Sequence, residues 1–315
     1  MNAFNAIRLS PKWQTIVASL MPAGKPPESK HAFLRLEDGD HLKLLYTWPP
    51  QGQLKLVVLF HGLCGSSESN YMVRLSRKLY QRHIPVVRVN HRGATPELIQ
   101  YAKHIYHAGK SQDVYAVLHH LHTEFPEYQL IPIGFSISGN MLLKALGQLP
   151  KDLNIAHAYA MCPAVDLTTS AQRLKQTTNR LFQHYFIKKI KKMIRLRYQY
   201  HADLGPMPAV EHIKTLYDLD HVYAAPEAGY RHVDAYYQHA SALPYLNKIQ
   251  VACTIVADVD DPFIANDVLI NQDFHNLTIQ LTHQGGHMGY LAKTKGWGFY
   301  QYWMDAYLVD AIECL

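Results

Sequence analysis

The chain has 315 residues, 48% of them hydrophobic and 18% charged, which excludes a disordered polar chain and allows a large buried core. With 31 Lys+Arg against 25 Asp+Glu the net charge is +6, too weakly basic to argue for a nucleic-acid partner. The longest apolar runs, such as Leu56 to Phe60, have strand length, so no transmembrane segment is expected.

The first residues, Met-Asn-Ala-Phe-Asn-Ala-Ile-Arg, lack the charged start, apolar stretch and cleavage site of a signal peptide. Residues 22–27 (PAGKPP) close a short amphipathic stretch. Residues 32–36 and 41–48 flank the turn Glu37-Asp38-Gly39-Asp40 and read as a hairpin. Residues 55–60 are an apolar, β-branched run, the mark of a strand buried on both faces. A helix over 69–82 and a strand over 84–90 follow. In 111–125, Val114, Val117, Leu118, Leu121 and Phe125 share one helical face. Then come a strand over 129–135, a helix over 137–149 and a strand over 155–162.

From about residue 166 to 245 the chain is helix-like, basic and aromatic, with no convincing strand. Strands resume at 251–257 and 278–282, and a helix is expected over 297–312. Strand–helix alternation specifies an α/β fold, a mostly parallel sheet with helices on both faces. The expectation is a single domain over 1–315, with residues 166–245 as a helical cap over the sheet's C-terminal edge. Ligands bind at that edge in open α/β sheets.

The strongest local signal is Gly134-Phe135-Ser136-Ile137-Ser138-Gly139-Asn140, between an apolar strand and an apolar helix. This is the setting of a nucleophile elbow, where a sharp turn lifts a serine above the sheet. Small residues are needed two before and two after the serine. The usual second glycine is Ser138 here, the next size up.

A serine hydroxyl needs a base, and the base needs a carboxylate; in this architecture they follow in the order Ser, acid, His. Asp258-Val259-Asp260-Asp261-Pro262-Phe263 follows one late strand, and His283-Gln284-Gly285-Gly286-His287 follows the next. The glycines let a tight loop carry the His287 imidazole over Ser136. Acyl transfer also needs backbone N–H donors for the oxyanion. Ile137, at a helix N-terminus, offers one. Leu63, in His61-Gly62-Leu63-Cys64-Gly65 after an early strand, offers the other. Cys64 is a weaker rival nucleophile, since no elbow surrounds it.

These elements together resemble an α/β-hydrolase of the YheT-like branch, the AB hydrolase 4 family. The matching stretches are residues 61–66, Asn90-His91-Arg92-Gly93, Tyr106-His107-Ala108-Gly109 with Asp113, residues 134–140, Asp260-Asp261-Pro262-Phe263 and residues 285–290. The cap end, Asp234-Ala235-Tyr236-Tyr237 through Ser241-Ala242-Leu243-Pro244, matches as well. The resemblance runs from roughly residue 30 to 310. It implies a serine hydrolase of carboxylic esters working through an acyl-enzyme. Bacterial members mostly lack an assigned substrate, and relatives act on lipid esters or transfer acyl groups. Carried over, Ser136 is the nucleophile, His287 the general base, and Asp261 or Asp260 the acid. Asp261, which precedes the proline, is preferred. Ser138 departs from the family's glycine.

Other features compete. His104 and His107, at i and i+3, have metal-ligand spacing but no further acidic or cysteine ligand nearby with metal spacing. Their place beside a family motif favours structural hydrogen bonds, so no metal is expected, and the chemistry needs no cofactor. The basic run Lys188-Lys189-Ile190-Lys191-Lys192-Met193-Ile194-Arg195-Leu196-Arg197, with Phe182, Tyr185 and Phe186, reads as a lid helix with a solvated face. A peripheral membrane contact is its alternative. The four cysteines, Cys64, Cys162, Cys253 and Cys314, show no zinc or disulfide spacing, which points to a reducing cytoplasm. Acyl transfer by the same triad, and a hydrolase-like binding protein, are the rival functions.

Overall fold

A computed structural model describes residues 3–148, 152–293 and 300–315. Its main sheet has strands β1 (Lys30–Arg35), β2 (His41–Thr47), β3 (Lys55–Phe60), β4 (Val86–Asn90), β5 (Gln129–Phe135), β6 (Ala158–Met161), β7 (Cys253–Asp258) and β8 (Leu277–Thr282). The spatial order is β1-β2-β4-β3-β5-β6-β7-β8. β1 and β2 form an antiparallel hairpin, and β2 is antiparallel to β4. From β4 to β8 all neighbours are parallel. β3 sits centrally, where its apolar run is best protected from water. Leu56, Val58 and Phe60 face a core shared with helices Ser111–Glu124 and Ile137–Gln148. Val57 and Leu59 face a second core shared with helices Asn70–Gln81 and Trp303–Glu313. Each such buried side chain contributes roughly 1.5–3 kcal/mol.

Element ends differ from the sequence expectation for local reasons. β4 starts at Val86 because Pro85 has no N–H to give the ladder. β6 stops at Met161 because Cys162 takes a left-handed backbone (φ 49°). Ile155 keeps only an isolated bridge to Leu130. The last helix starts at Trp303, since Gln301–Tyr302 pairs instead with Leu291–Ala292. The expected start of that helix, residues 297–299, lies outside the described residues, as does Leu149 at the end of the 137–149 helix.

Between Leu167 and Lys248 every element is helical. The longest, Arg180–Tyr200, buries Ile187 and Ile194 against Val210, Leu216, Leu219 and Tyr223. Three of its seven Lys and Arg residues are engaged within the chain as follows. Lys191 Nζ donates to the carbonyls of Glu211 and Ile213, Arg195 pairs with Glu211, and Arg197 with Glu227. Among the described residues no helix is long and apolar enough to cross a membrane.

Candidate active site

Four loops converge at the C-terminal ends of β3, β5, β7 and β8. At the end of β5 the chain turns so sharply that Ser136 adopts φ 55°, a left-handed conformation that a non-glycine residue rarely holds. Ser136 N–H donates to Met161 O at 2.8 Å, and the helix starts at the next residue. Gly134 has no room for a side chain: a Cβ there would lie 2.4 Å from Ser138 O.

Ser136 Oγ lies 2.9 Å from His287 Nε2, and His287 Nδ1 lies 2.8 Å from Asp261 Oδ2. The Asp261 carboxylate is buried, and its other oxygen accepts from the N–H groups of Phe263 (2.7 Å) and Ile264 (3.0 Å). Asp260 points elsewhere: it accepts from Gln284 N–H at 3.1 Å and faces His283 at 3.5 Å. The two neighbouring aspartates thus have separate partners, and only Asp261 reaches the imidazole.

The loop after β3 is pinned by side chains. Gly62 N–H donates to Tyr71 Oη at 2.8 Å, Cys64 N–H to Tyr106 Oη at 2.7 Å, and Ser67 N–H to Asn90 Oδ1 at 2.7 Å. Between these fixed donors, the Leu63 N–H has no acceptor among the described residues, and neither does the Ile137 N–H. Leu63, Ser136 and Ile137 all line one cavity. Burial pushes the Cys64 thiol up to about 12, so it stays protonated and is a poor nucleophile.

Ser138 does more than fill space. It is fully buried, its hydroxyl donates to His61 O, and it accepts from His91 Nε2 at 2.8 Å. Burial holds both imidazoles well below their ordinary range, so each is neutral. The hydroxyl therefore ties the elbow helix to the oxyanion loop, a link that the family's glycine has no atom to make. Ser138→Ala strands a buried carbonyl and a buried N–H, at a cost of about 1–3 kcal/mol. Urea unfolding of this variant at neutral pH should show that loss, whereas a change below about 0.5 kcal/mol would mean that the hydroxyl only occupies volume.

The sequence reading missed what holds His287. The loop from β8 is folded tightly, with left-handed backbone at Gln284, Gly286, Met288 and Tyr290. Asp258 anchors it, accepting from Thr282 Oγ1 (2.8 Å) and Gly285 N–H (2.7 Å), while burial raises its carboxyl to about 6. The N-terminal helix Pro11–Leu20 lies against this loop. His287 N–H donates to Thr15 Oγ1 at 2.9 Å, and the buried Gln14 amide exchanges two hydrogen bonds with the Leu291 backbone. A Cβ on Gly286 would come within 2.1 Å of Pro11 O. No local pattern around residue 15 signals this partnership.

Among the described residues, two groups of side chains bring three metal-ligating atoms within 4.8 Å of one another: Cys162–Asp261–His287 and Asp38–Asp40–His104. In the first, burial keeps Cys162 protonated, and Asp261 is already bonded to His287. In the second, Arg92 Nη1 donates to both Asp38 and Asp40 at 2.7 Å, placing a cation where a metal's charge would sit. His104 and His107 do not form a ligand pair. His104 Nδ1 binds Asp40, and His107 Nδ1 accepts from Gly109 N–H.

The cavity over Ser136 has a volume of about 450 Å³, within the range of small-molecule sites. Its far walls come from the helical segment, including Met193, Ile194, Leu219 and Tyr223.

Residues 51–205 match the Hydrolase_4 family model, described as serine aminopeptidase, S33. The chain is 28% identical over 267 residues to "Putative esterase YheT" of Escherichia coli (strain K12), covering 83% of this chain and 78% of that one. It is 23% identical over 292 residues to "Phospholipase ABHD3" of Homo sapiens, covering 88% and 70%. Among solved structures, the esterase Pf2001 of Pyrococcus furiosus superposes with a TM-score of 0.58 at 15% identity, over 100% of this chain and 98% of that one. Est1E of Butyrivibrio proteoclasticus gives 0.54 at 14% identity, over 90% and 96%. At these identities the structural likeness is one of fold.

Proposed function

The chain is an α/β-hydrolase, and from that premise we propose that it hydrolyses carboxylic esters with Ser136 as nucleophile, His287 as general base and acid, and Asp261 as the orienting carboxylate. The observation that carries this reading is the unbroken relay from Asp261 Oδ2 through His287 to Ser136 Oγ, at 2.8 and 2.9 Å. The relatives named as an esterase and a phospholipase support an ester substrate.

Ser136 Oγ attacks the ester carbonyl as His287 Nε2 takes its proton. The imidazolium that forms is stabilised by Asp261, which stays ionised. The new oxyanion sits against the Leu63 and Ile137 N–H groups, whose donors are free and held in place before the reaction starts. Collapse of the tetrahedral intermediate breaks the C–O bond to the alcohol, which leaves with the proton from His287. Water, deprotonated by the same nitrogen, then attacks the acyl-enzyme and frees the acid and Ser136. Residues 166–245 act as a cap that supplies the walls of the substrate cavity. Four unpaired cysteines suit a reducing compartment.

A fluorophosphonate probe tests the nucleophile directly. It is expected to add covalently to Ser136, located by peptide mass spectrometry, and p-nitrophenyl esters from acetate to palmitate should be turned over. A folded protein that takes no label, or takes it on another residue, sinks the assignment.

A further inference from the structure

Asp220 lines the same cavity as Ser136. It opens a π-helical turn, Asp220–Ala224, set between the short helices Leu216–Leu219 and Ala225–Glu227. Such turns are rare and gather at functional sites. The carboxyl has one hydrogen-bond partner among the described residues, Tyr237 Oη, which donates to Oδ2 at 2.7 Å.

Other buried carboxyls have more partners: Asp258, which pairs with no cation among the described residues, accepts from Thr282 and Gly285. Asp305 is paired with Arg74 and Lys78, Asp40 and Asp113 with Arg92, Glu227 with Arg197, and Asp261 with His287. Among the described residues no cation pairs with Asp220. Burial raises its carboxyl to about 7, against the lowering effect of the Tyr237 bond. Asp220 is half-buried and lines the cavity. Leu216, Leu219, Tyr223, Tyr236 and Tyr237 line the same cavity, as does Arg197, which is paired with Glu227. Buried carboxyls are normally paired or fully hydrogen-bonded, because the charged form is poorly solvated inside a protein. Here one oxygen has no hydrogen-bond partner among the described residues, on a residue that lines a cavity a ligand can fill.

Resting on the ester-hydrolase reading, we propose that Asp220 is the polar anchor of the substrate site, accepting a hydrogen bond from a hydroxyl or ammonium group that the substrate carries away from its scissile carbonyl. The lining is mostly apolar, with Ile99, Ile105, Leu167, Leu174, Ile190 and Met193 among its residues, so the preferred substrate is an amphiphilic ester: an apolar stretch along the walls and a donor at the Asp220 end. Tyr237 positions the carboxyl for that donor. A plain alkyl ester leaves the anchor unsatisfied and binds less well.

The test reads binding without requiring turnover. Calorimetric titrations compare n-alkanols, α,ω-diols and ω-aminoalkanols, from butyl to decyl, on the wild-type protein, Asp220→Leu and Asp220→Asn, with thermal melting to show that each variant is folded. At one chain length or more the wild type should favour a terminal donor over a terminal methyl by roughly ten- to a hundredfold. Asp220→Leu should abolish that preference. An ammonium anchor needs the charge, so its advantage should vanish in Asp220→Asn as well, whereas a hydroxyl's advantage should survive there. Either pattern supports the proposal and identifies the donor. Equal affinity for methyl and donor termini at every length, or a donor preference that persists in Asp220→Leu, overturns it. Ester turnover is measured alongside. Its absence with the binding difference intact counts against the Ser136 reading and leaves the anchor standing.

Discussion

Ser136→Ala is expected to lower ester turnover by roughly 10⁶, the scale of loss when a triad serine is removed. The fold should survive. Among the described residues the serine's hydroxyl hydrogen-bonds to His287 alone, and Ser136 lines the cavity. The left-handed backbone at φ 55° costs alanine about what it costs serine, so the strain is present in both proteins. The backbone bond to Met161 O does not involve the side chain. Turnover of a soluble p-nitrophenyl ester, with urea unfolding as the control, separates chemistry from stability. A cleanly purified variant that keeps near wild-type turnover would remove Ser136 from the mechanism.

Asp261→Asn carries the second large effect. The carboxylate receives His287 Nδ1–H on one oxygen and two backbone N–H groups on the other. An asparagine must give one side an NH₂. Facing the backbone donors it would clash hydrogen against hydrogen, so its oxygen stays there and its NH₂ turns to His287. The imidazole is then held in the wrong tautomer, with its proton on Nε2, where the base must be free. Turnover should fall by about 10⁴. Asp260→Asn keeps an oxygen for Gln284 N–H and should cost far less. Assaying both variants with one ester at near-neutral pH decides between them. A larger loss in Asp260→Asn would move the acid's role there, and equal mild losses would leave the triad without either residue.

What could be read in the sequence was whatever is local. The 55–60 run shows its two buried faces in its composition, and Ser136 declares itself by the glycine before it and the helix after it. Asp261 and His287 stand just beyond strands, so the parallel order alone brings them to one edge. Residues whose role depends on distant partners left no trace. Thr15 is an ordinary helical threonine until His287 is beside it. Ser138 looks like a tolerated substitution until the His61 carbonyl and the His91 ring are placed around its hydroxyl. Asp220 sits in a stretch legible only as helical, since a π-turn has no periodic signature of its own. The last helix was placed too early because the pairing of Gln301–Tyr302 with Leu291–Ala292 is a contact between segments, invisible to periodicity.

The clasp between the N-terminal helix and the histidine loop spans most of the chain. The Thr15–His287 bond joins residues 272 apart in the chain, and the Gln14–Leu291 bonds join residues 277 apart. Contacts of such separation must wait for the intervening chain to be brought into place. The strands that carry Ser136, Asp261 and His287 belong to the main sheet, whereas residues 11–20 form a helix outside it. Part of the histidine loop's support comes from that helix. The base that arms Ser136 is therefore held in part by contacts of very long sequence separation, between the start of the chain and the loop after β8.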